Sequence, residues 1–230
     1  MRISIVTFGV VAGLVIGAPA SAQSLASLSN QDAVAGLNDA LVQSSAKAVS
    51  QLGGADGFLG NAKVKIPLPD SIKRVESGLR MVGMGKQADE LVLSMNRAAE
   101  MAVKEATPVL TDSIKKMSVQ DAKGILTGGD DAATQYFRRT TSEQLTQRFL
   151  PIVKTMTAKV KLAEQYNSLA GQAASFGLVK QEDANIDNYV TRKALDGLYL
   201  VIAEQERAIR KDPVGAATGM AQKVFGLLGK

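Results

Sequence analysis

The stretch "KQADELVLSMNRAAEMAVKEATPVLTDSIKKM", residues 86–117, decides the fold class. Its apolar side chains recur every three or four residues, so they would line one face of an α-helix, and strand-like alternation is missing. Pro108 lacks the N–H that a helix interior needs, so we expect it to kink or split the run. The apolar face before the proline comprises Ala88, Leu91, Val92, Met95, Ala99, Ala102 and Val103, and the face after it comprises Leu110, Ile114 and Met117.

Helical spacing also dominates on both sides of this stretch. "SNQDAVAGLNDALVQSSAKAVSQLGG", residues 29–54, begins with a Ser-x-x-Asp capping pattern and ends at two glycines. "NYVTRKALDGLYLVIAEQERAIRKDP", residues 188–213, is a second strongly periodic segment that Asp-Pro terminates. Only "KVKIPLP", residues 63–69, alternates apolar residues with Lys and Pro, which indicates extended backbone. We predict a single all-α domain of about seven to nine helices with one short extended, proline-containing segment.

Residues 1–22, "MRISIVTFGVVAGLVIGAPASA", have the pattern of a secretory signal peptide. Arg2 carries the positive charge, an uncharged apolar run follows, and Ala20-Ser21-Ala22 is a small-x-small cleavage site. The run is about 14 residues long, short of the ~20 needed to span a bilayer. We therefore predict cleavage after Ala22, a periplasmic location, a mature domain of residues 23–230, and no transmembrane segment in the mature chain.

The chain contains neither Cys nor His, which excludes several kinds of site. The usual zinc sites, Cys–His dyads and Ser-His-Asp triads all need one of these residues. The fold has no disulfide to stabilise it, and no cysteine can carry a lipid anchor. The formal net charge of +5 and the predicted export favour an envelope protein or an anionic envelope component as partner, and disfavour nucleic acid. We expect no cofactor.

The segment "GILTGGDDAATQYFRRTTSEQL", residues 124–145, carries the main candidate site. Glycines before a helix start are typical of phosphate-binding loops, but Asp130 and Asp131 would repel an anion there. We favour a turn in which Gly128 and Gly129 end one helix and one of the aspartates caps the next.

Capping does not account for the second aspartate or for the side chains that follow it. Asp130, Asp131, Tyr136, Arg138 and Arg139 therefore form our candidate ligand site. The arginines could close back on the aspartates as an internal salt-bridge network, which we favour, or present themselves to an anionic ligand.

A second candidate lies in "DANIDNYVTRKAL", residues 183–195. Asp183, Asn185 and Asp187 match the first three oxygen ligands of a calcium loop. However, Asn188 stands where that loop needs Gly, and Ala194 replaces the bidentate Glu. The ligand set is incomplete, and Asp187 is also a good N-cap for the following helix.

Two further patterns have ordinary structural interpretations. Glu204 and Glu206 could act as an acid–base pair on glycans, but we interpret them as part of a solvated helix face. Methionines at several helical positions could line an adaptable groove for a lipid or a partner helix, although a place in the core is the favoured interpretation.

The chain resembles a bacterial family catalogued as domain of unknown function 4197. The segments that carry the resemblance are "KVKIPLP", "ADELVLSMNRAAE", "AKGILTGGDDAATQYFRR", "FLPIV" and "KALDGLYLVIAEQERAIRKDP", in this order. The resemblance implies an exported protein of Gram-negative bacteria with no assigned activity, and it marks "ILTGGDDAATQYFRR" as a family signature. Some members are lipoproteins, and this chain departs from them because it has no cysteine.

These observations lead to two functional hypotheses. The first is a non-enzymatic binding or interaction protein of the cell envelope, motivated by the export signal and the lack of an intact catalytic constellation. The alternative is a carboxylate-dependent metal-binding protein or hydrolase that uses the Gly-Gly-Asp-Asp segment.

Overall fold

The computed structural model describes residues 30–73, 76–81, 83, 85–177, 179–213 and 219–228. These residues form helices and contain no strand, so the prediction of a single all-α domain is confirmed. The predicted signal peptide, its cleavage site and the Ser of the first capping pattern lie outside the described residues. The helices are α1 (Asn30–Gly53), α2 (Asp70–Lys73), α3 (Glu76–Met81), α4 (Gly85–Ala102), α5 (Ala106–Lys115), α6 (Val119–Thr127), α7 (Ala132–Thr157), α8 (Lys161–Ser175), α9 (Ile186–Lys211) and α10 (Gly219–Leu228).

The long run that decided the fold class is split near Pro108, as predicted. Helix α4 ends at Ala102, a 3₁₀ turn covers Val103–Glu105, and α5 begins at Ala106. The break precedes the proline because its ring and missing N–H are accommodated at lowest cost in the first turn of a helix. Pro151 behaves differently, since α7 continues through it and no helix begins there.

Helix α9 lies at the centre of the domain and packs against α1, α4, α7 and α10. The apolar side chains that recur at helical spacing along it are all buried, namely Val190, Ala194, Leu198, Ile202 and Ile209. At Gly197 a Cβ atom would lie 2.7 Å from Cε1 of Phe58, so the lack of a side chain there lets the 54–69 connection approach the helix.

Two buried polar side chains of α4 fix the connection between α1 and α2. Asn96 accepts a hydrogen bond from the N–H of Ile66 (2.8 Å) and donates to its carbonyl (2.9 Å), as a neighbouring strand would. The Glu100 carboxylate accepts from the N–H groups of Phe58 (3.1 Å) and Leu59 (3.2 Å). The segment therefore remains extended without a partner strand, because side chains satisfy its backbone groups.

Among the described helices, none combines the length and the apolar composition needed to cross a membrane.

Candidate functional site

The Gly-Gly-Asp-Asp segment forms the predicted turn between α6 and α7. Gly128 follows α6 directly, and Asp131 precedes the first residue of α7. The carboxylate of Asp131 does not cap the helix, which corrects our expectation, because it accepts a hydrogen bond from the Gln135 amide instead (3.0 Å). Asp130 is exposed.

The N-terminus of α7 is capped by a carboxylate from α9. One oxygen of Glu206 accepts from the N–H of Ala133 (2.9 Å), and the other accepts from the N–H and the hydroxyl of Thr134 (2.9 Å each). A bound phosphate would need these same backbone donors at the positive end of the helix dipole. Glu206 therefore occupies the place that an external anion would take in a phosphate-binding loop.

Glu206 is buried, which corrects our interpretation of it as a solvated side chain. Its carboxylate also pairs with Arg210 one turn later (2.9 Å), and that guanidinium donates to the carbonyl of Ile125 at the end of α6 (2.8 Å). Buried charges need such partners, since desolvation is costly. Sequence alone could not reveal this role, because Glu206 lies more than 70 residues from the N–H groups that donate to it.

The two arginines of the signature are paired with acids on neighbouring helices. Arg138 contacts Asp196 on α9 (3.3 Å), and Arg139 contacts Asp121 on α6 (2.9 Å). We favoured a network in which the arginines close back on Asp130 and Asp131, and this is wrong, because their ion-pair partners come from α9 and α6. Asp130 and Asp131 precede the arginines by about two helical turns, roughly 10 Å along the axis.

Aromatic rings complete this network. The Arg138 guanidinium lies 4.7 Å from the centroid of Tyr199, and the Arg139 guanidinium lies 5.6 Å from that of Tyr136. Tyr136 is buried and donates to the carbonyl of Ser113 on α5 (2.7 Å). Hydrogen bonds from Ser118, and then the charge of Arg139, hold the pKa of Asp121 below its usual range.

The signature thus joins α5, α6, α7 and α9 through contacts within the chain. None of its five candidate residues lines either of the two cavities described below. A role for Asp130, Asp131, Tyr136, Arg138 and Arg139 in binding a ligand stays a prediction.

The residues of the calcium-loop pattern also contact other parts of the chain. The Asp183 carboxylate pairs with Arg192, and the Asn185 side chain caps α9 by accepting from the N–H groups of Asp187 (2.8 Å) and Asn188 (3.1 Å). Asp187 is buried and accepts from the hydroxyl of Thr157 on α7 (2.5 Å). Among the described residues, no group of three or more acidic side chains could hold a metal ion. A metal site in this segment stays a prediction.

A cleft of about 870 Å³ lies between α2 and α8, and we call it the α2–α8 cleft. Leu169, at its wall, exposes 68% of its surface. The lining side chains are Ser71, Ile72, Lys161, Leu162, Glu164, Gln165, Tyr166, Ser168, Leu169, Ala170, Ala173 and Val179.

At the wall of the cleft, the Tyr166 hydroxyl makes two hydrogen bonds. It donates to the carbonyl of Asp183 (2.5 Å), and the Ser71 hydroxyl lies 3.0 Å away, in position to donate to it. Burial raises the pKa of Tyr166 above its usual range, so the hydroxyl is neutral at pH 7. These bonds connect α8 to α2 and to the turn before α9.

A second cavity of about 500 Å³ lies where α7, α8 and α9 meet. Lys154, Thr157, Ala158, Ala163, Glu164, Asn167 and Asp187 line it, and we call it the Asp187 cavity. It shares the Glu164 side chain with the α2–α8 cleft. Sequence analysis missed both cavities, because their walls come from segments that are distant along the chain. The many small residues of α8 are the one signal that could have indicated loose packing there.

Residues 27–226 match the family described as "Protein of unknown function (DUF4197)". The chain belongs to this family. The match includes α1 to α9 and most of α10, so both cavities and the Gly-Gly-Asp-Asp turn lie within the family domain. The resemblance drawn from the sequence motifs is confirmed. No curated protein and no solved structure matches the chain.

Proposed function

We propose that the protein is an exported binding protein of the bacterial cell envelope, and that its α2–α8 cleft holds the acyl chain of an amphiphile. The proposal rests on the size, the lining and the charge distribution of this cleft. The signal-peptide pattern of residues 1–22 supports an envelope location. An exported protein would meet lipids in the envelope.

The size and the lining of the cleft suit an apolar chain. Ligand cavities typically measure about 300–1,000 Å³ and combine apolar walls with a few polar groups. Ile72, Leu162, Leu169 and Val179 contribute the apolar wall here. Each buried CH₂ group of a ligand contributes about 0.8 kcal/mol, so a partly inserted chain would offset the entropic cost of binding.

The distribution of charge favours an amphiphile over a partner helix. Both charged lining residues, Lys161 and Glu164, lie in the first turn of α8, and the wall from Gln165 to Val179 is uncharged. From Lys161 to Ala173 the helix extends about 18 Å. One charged end and one long uncharged wall match a head group joined to a chain, whereas an amphipathic helix presents polar groups along its whole length.

Displacement of a fluorescent acyl probe from the protein, purified from the periplasm and delipidated, tests the proposal. We expect saturable binding of the probe and its displacement by long-chain fatty acids. Leu169→Gln should weaken binding roughly tenfold, since it removes an apolar contact worth about 1.4 kcal/mol. Ala173→Phe should fill the cleft and abolish binding.

Val119→Gln is the matched control, because Val119 is also an exposed apolar residue but lies on α6, outside the cleft. It should bind the probe as the wild type does. Equal weakening by the Leu169 and Val119 substitutions, or no probe binding at all, would refute the proposal. Capture of an amphipathic peptide in place of the acyl probe would show that the cleft serves a protein partner.

A further inference from the structure

Asp187 is a buried carboxylate without a cationic partner among the described residues. Only 8% of its surface is exposed, and the one side chain that donates to it is the hydroxyl of Thr157. Its position in the first turn of α9 lies in the favourable field of the helix dipole, but Asn185 already accepts from the free N–H groups there. A buried charge normally requires a counter-charge, so this carboxylate has capacity for a cationic ligand.

Glu164 supplies a second acceptor at the same place. It lines the Asp187 cavity together with Asp187 and also lines the charged end of the α2–α8 cleft. Lys161 lies three residues earlier on α8, yet the described contacts include no ion pair between these two side chains. Lys154, which lines the Asp187 cavity, makes none with either carboxylate. Both signs of charge are therefore available where the head group of a bound amphiphile would lie.

We propose that the head group is zwitterionic and of the phosphoethanolamine type. Its primary ammonium binds Asp187 and Glu164 in the Asp187 cavity, and the phosphate is neutralised by Lys161, at the charged end of the cleft, and by Lys154, at the wall of the Asp187 cavity. A primary ammonium donates three hydrogen bonds to carboxylates, whereas a quaternary ammonium donates none. The inference rests on the proposed function, because the acyl chain must occupy the α2–α8 cleft.

Competition between three acyl-matched lipids tests this head group. Lysophosphatidylethanolamine, lysophosphatidylcholine and lysophosphatidylglycerol would displace the fluorescent acyl probe below their micelle concentrations. We expect the ethanolamine lipid to act at about tenfold lower concentration than the other two, a difference of one charge-assisted interaction. Glu164→Gln and Asp187→Asn should remove this advantage without changing the affinity for the glycerol lipid.

Glu143→Gln is the matched control, since Glu143 is exposed on α7 and lines neither cavity. Glu164 is exposed as well, so its substitution keeps the test valid if Asp187→Asn impairs folding. Equal potency of the three lipids, or an ethanolamine preference that survives Glu164→Gln, would overturn the head-group inference while leaving the cleft proposal in place. Failure of all three lipids to displace the probe would refute both.

Discussion

The N-terminus of α7 and the α2–α8 cleft differ in where their polar groups find partners. At α7 the backbone N–H groups, the buried glutamate and both arginines are satisfied by other parts of the chain. At the cleft, Lys161 and Glu164 face an open volume beside an exposed leucine. In the segment with the most distinctive sequence, these polar groups therefore already have partners within the chain. The first turn of α8, whose sequence is not distinctive, has charged side chains that remain available to a ligand. A distinctive stretch of sequence can therefore mark interactions that hold a fold together.

The largest expected effect comes from removing the carboxylate that caps α7. Glu206→Ala would leave two backbone N–H groups and the Arg210 charge without their partner in a buried site, so we expect a loss of about 3–5 kcal/mol. Urea denaturation measures the free energy of unfolding.

Glu204→Ala is the control for that substitution. Glu204 pairs at the surface with Lys63 (2.7 Å), and its loss should cost less than about 1 kcal/mol. If the Glu206→Ala protein were as stable as the Glu204→Ala protein, the Glu206 carboxylate would not stabilise the N-terminus of α7. The difference drawn above between this terminus and the cleft would then be contradicted.

Alkaline pH should weaken the contact between α9 and the extended segment. Tyr189 donates to the carbonyl of Pro67 (3.1 Å), and burial, followed by the charge of Asp183, raises the pKa of Tyr189 to about 12. The unfolded chain titrates near pH 10. Because the folded pKa is the higher one, this stabilisation is complete below pH 10 and is lost as the pH rises to 12.

The corresponding measurement is the urea midpoint of wild type and Tyr189→Phe at pH 8 and pH 11. The variant lacks the titrating hydroxyl, so its midpoint should fall less between the two pH values. An identical fall in both proteins would assign the alkaline sensitivity to other groups.

Arg138→Ala should have a smaller effect on stability. Its ion pair with Asp196 is half exposed, and its contact with Tyr199 adds a modest cation–π interaction, so we expect a loss of about 0.5–1 kcal/mol. Arg148→Ala serves as the control, because Arg148 forms a long surface pair with Glu105 (3.8 Å). If Arg138→Ala kept wild-type stability but lost binding of an anionic ligand, the segment would be an anion-binding site. That outcome would support the sequence-based hypothesis that the arginines present themselves to a ligand.

The smallest stability change is expected at the cleft. Leu169 is largely exposed, so Leu169→Gln should change the free energy of unfolding by no more than about 0.5 kcal/mol. The same substitution should weaken binding of the acyl probe roughly tenfold. Coupled losses of stability and binding would mean that Leu169 is a packing residue.

The sequence predicted those features that depend on neighbours along the chain. The helical class, the split near Pro108 and the end of α9 before Pro213 follow from periodicity and proline chemistry. The extended segment was predicted too, but not its attachment to Asn96. That attachment depends on a contact 30 residues away.

The same limit applies to the candidate site. The surplus of Asp, Tyr and Arg after the glycines is visible in the sequence, but the partners of these side chains were not predictable. Glu206, Asp196 and Asp121 reach the signature from other helices, and an isolated sequence does not specify which helices meet. The cavities escaped prediction for a related reason, since a cleft arises where packing is incomplete and has no motif of its own.

Native mass spectrometry of the protein purified from the cells that produce it tests the central claim most directly. The wild type should carry an adduct with the mass of an acyl-chain amphiphile, and Ala173→Phe, purified in the same way, should lack it. A wild-type protein without any adduct, or an Ala173→Phe protein that carries the same adduct, would contradict the assignment of the α2–α8 cleft as the binding site.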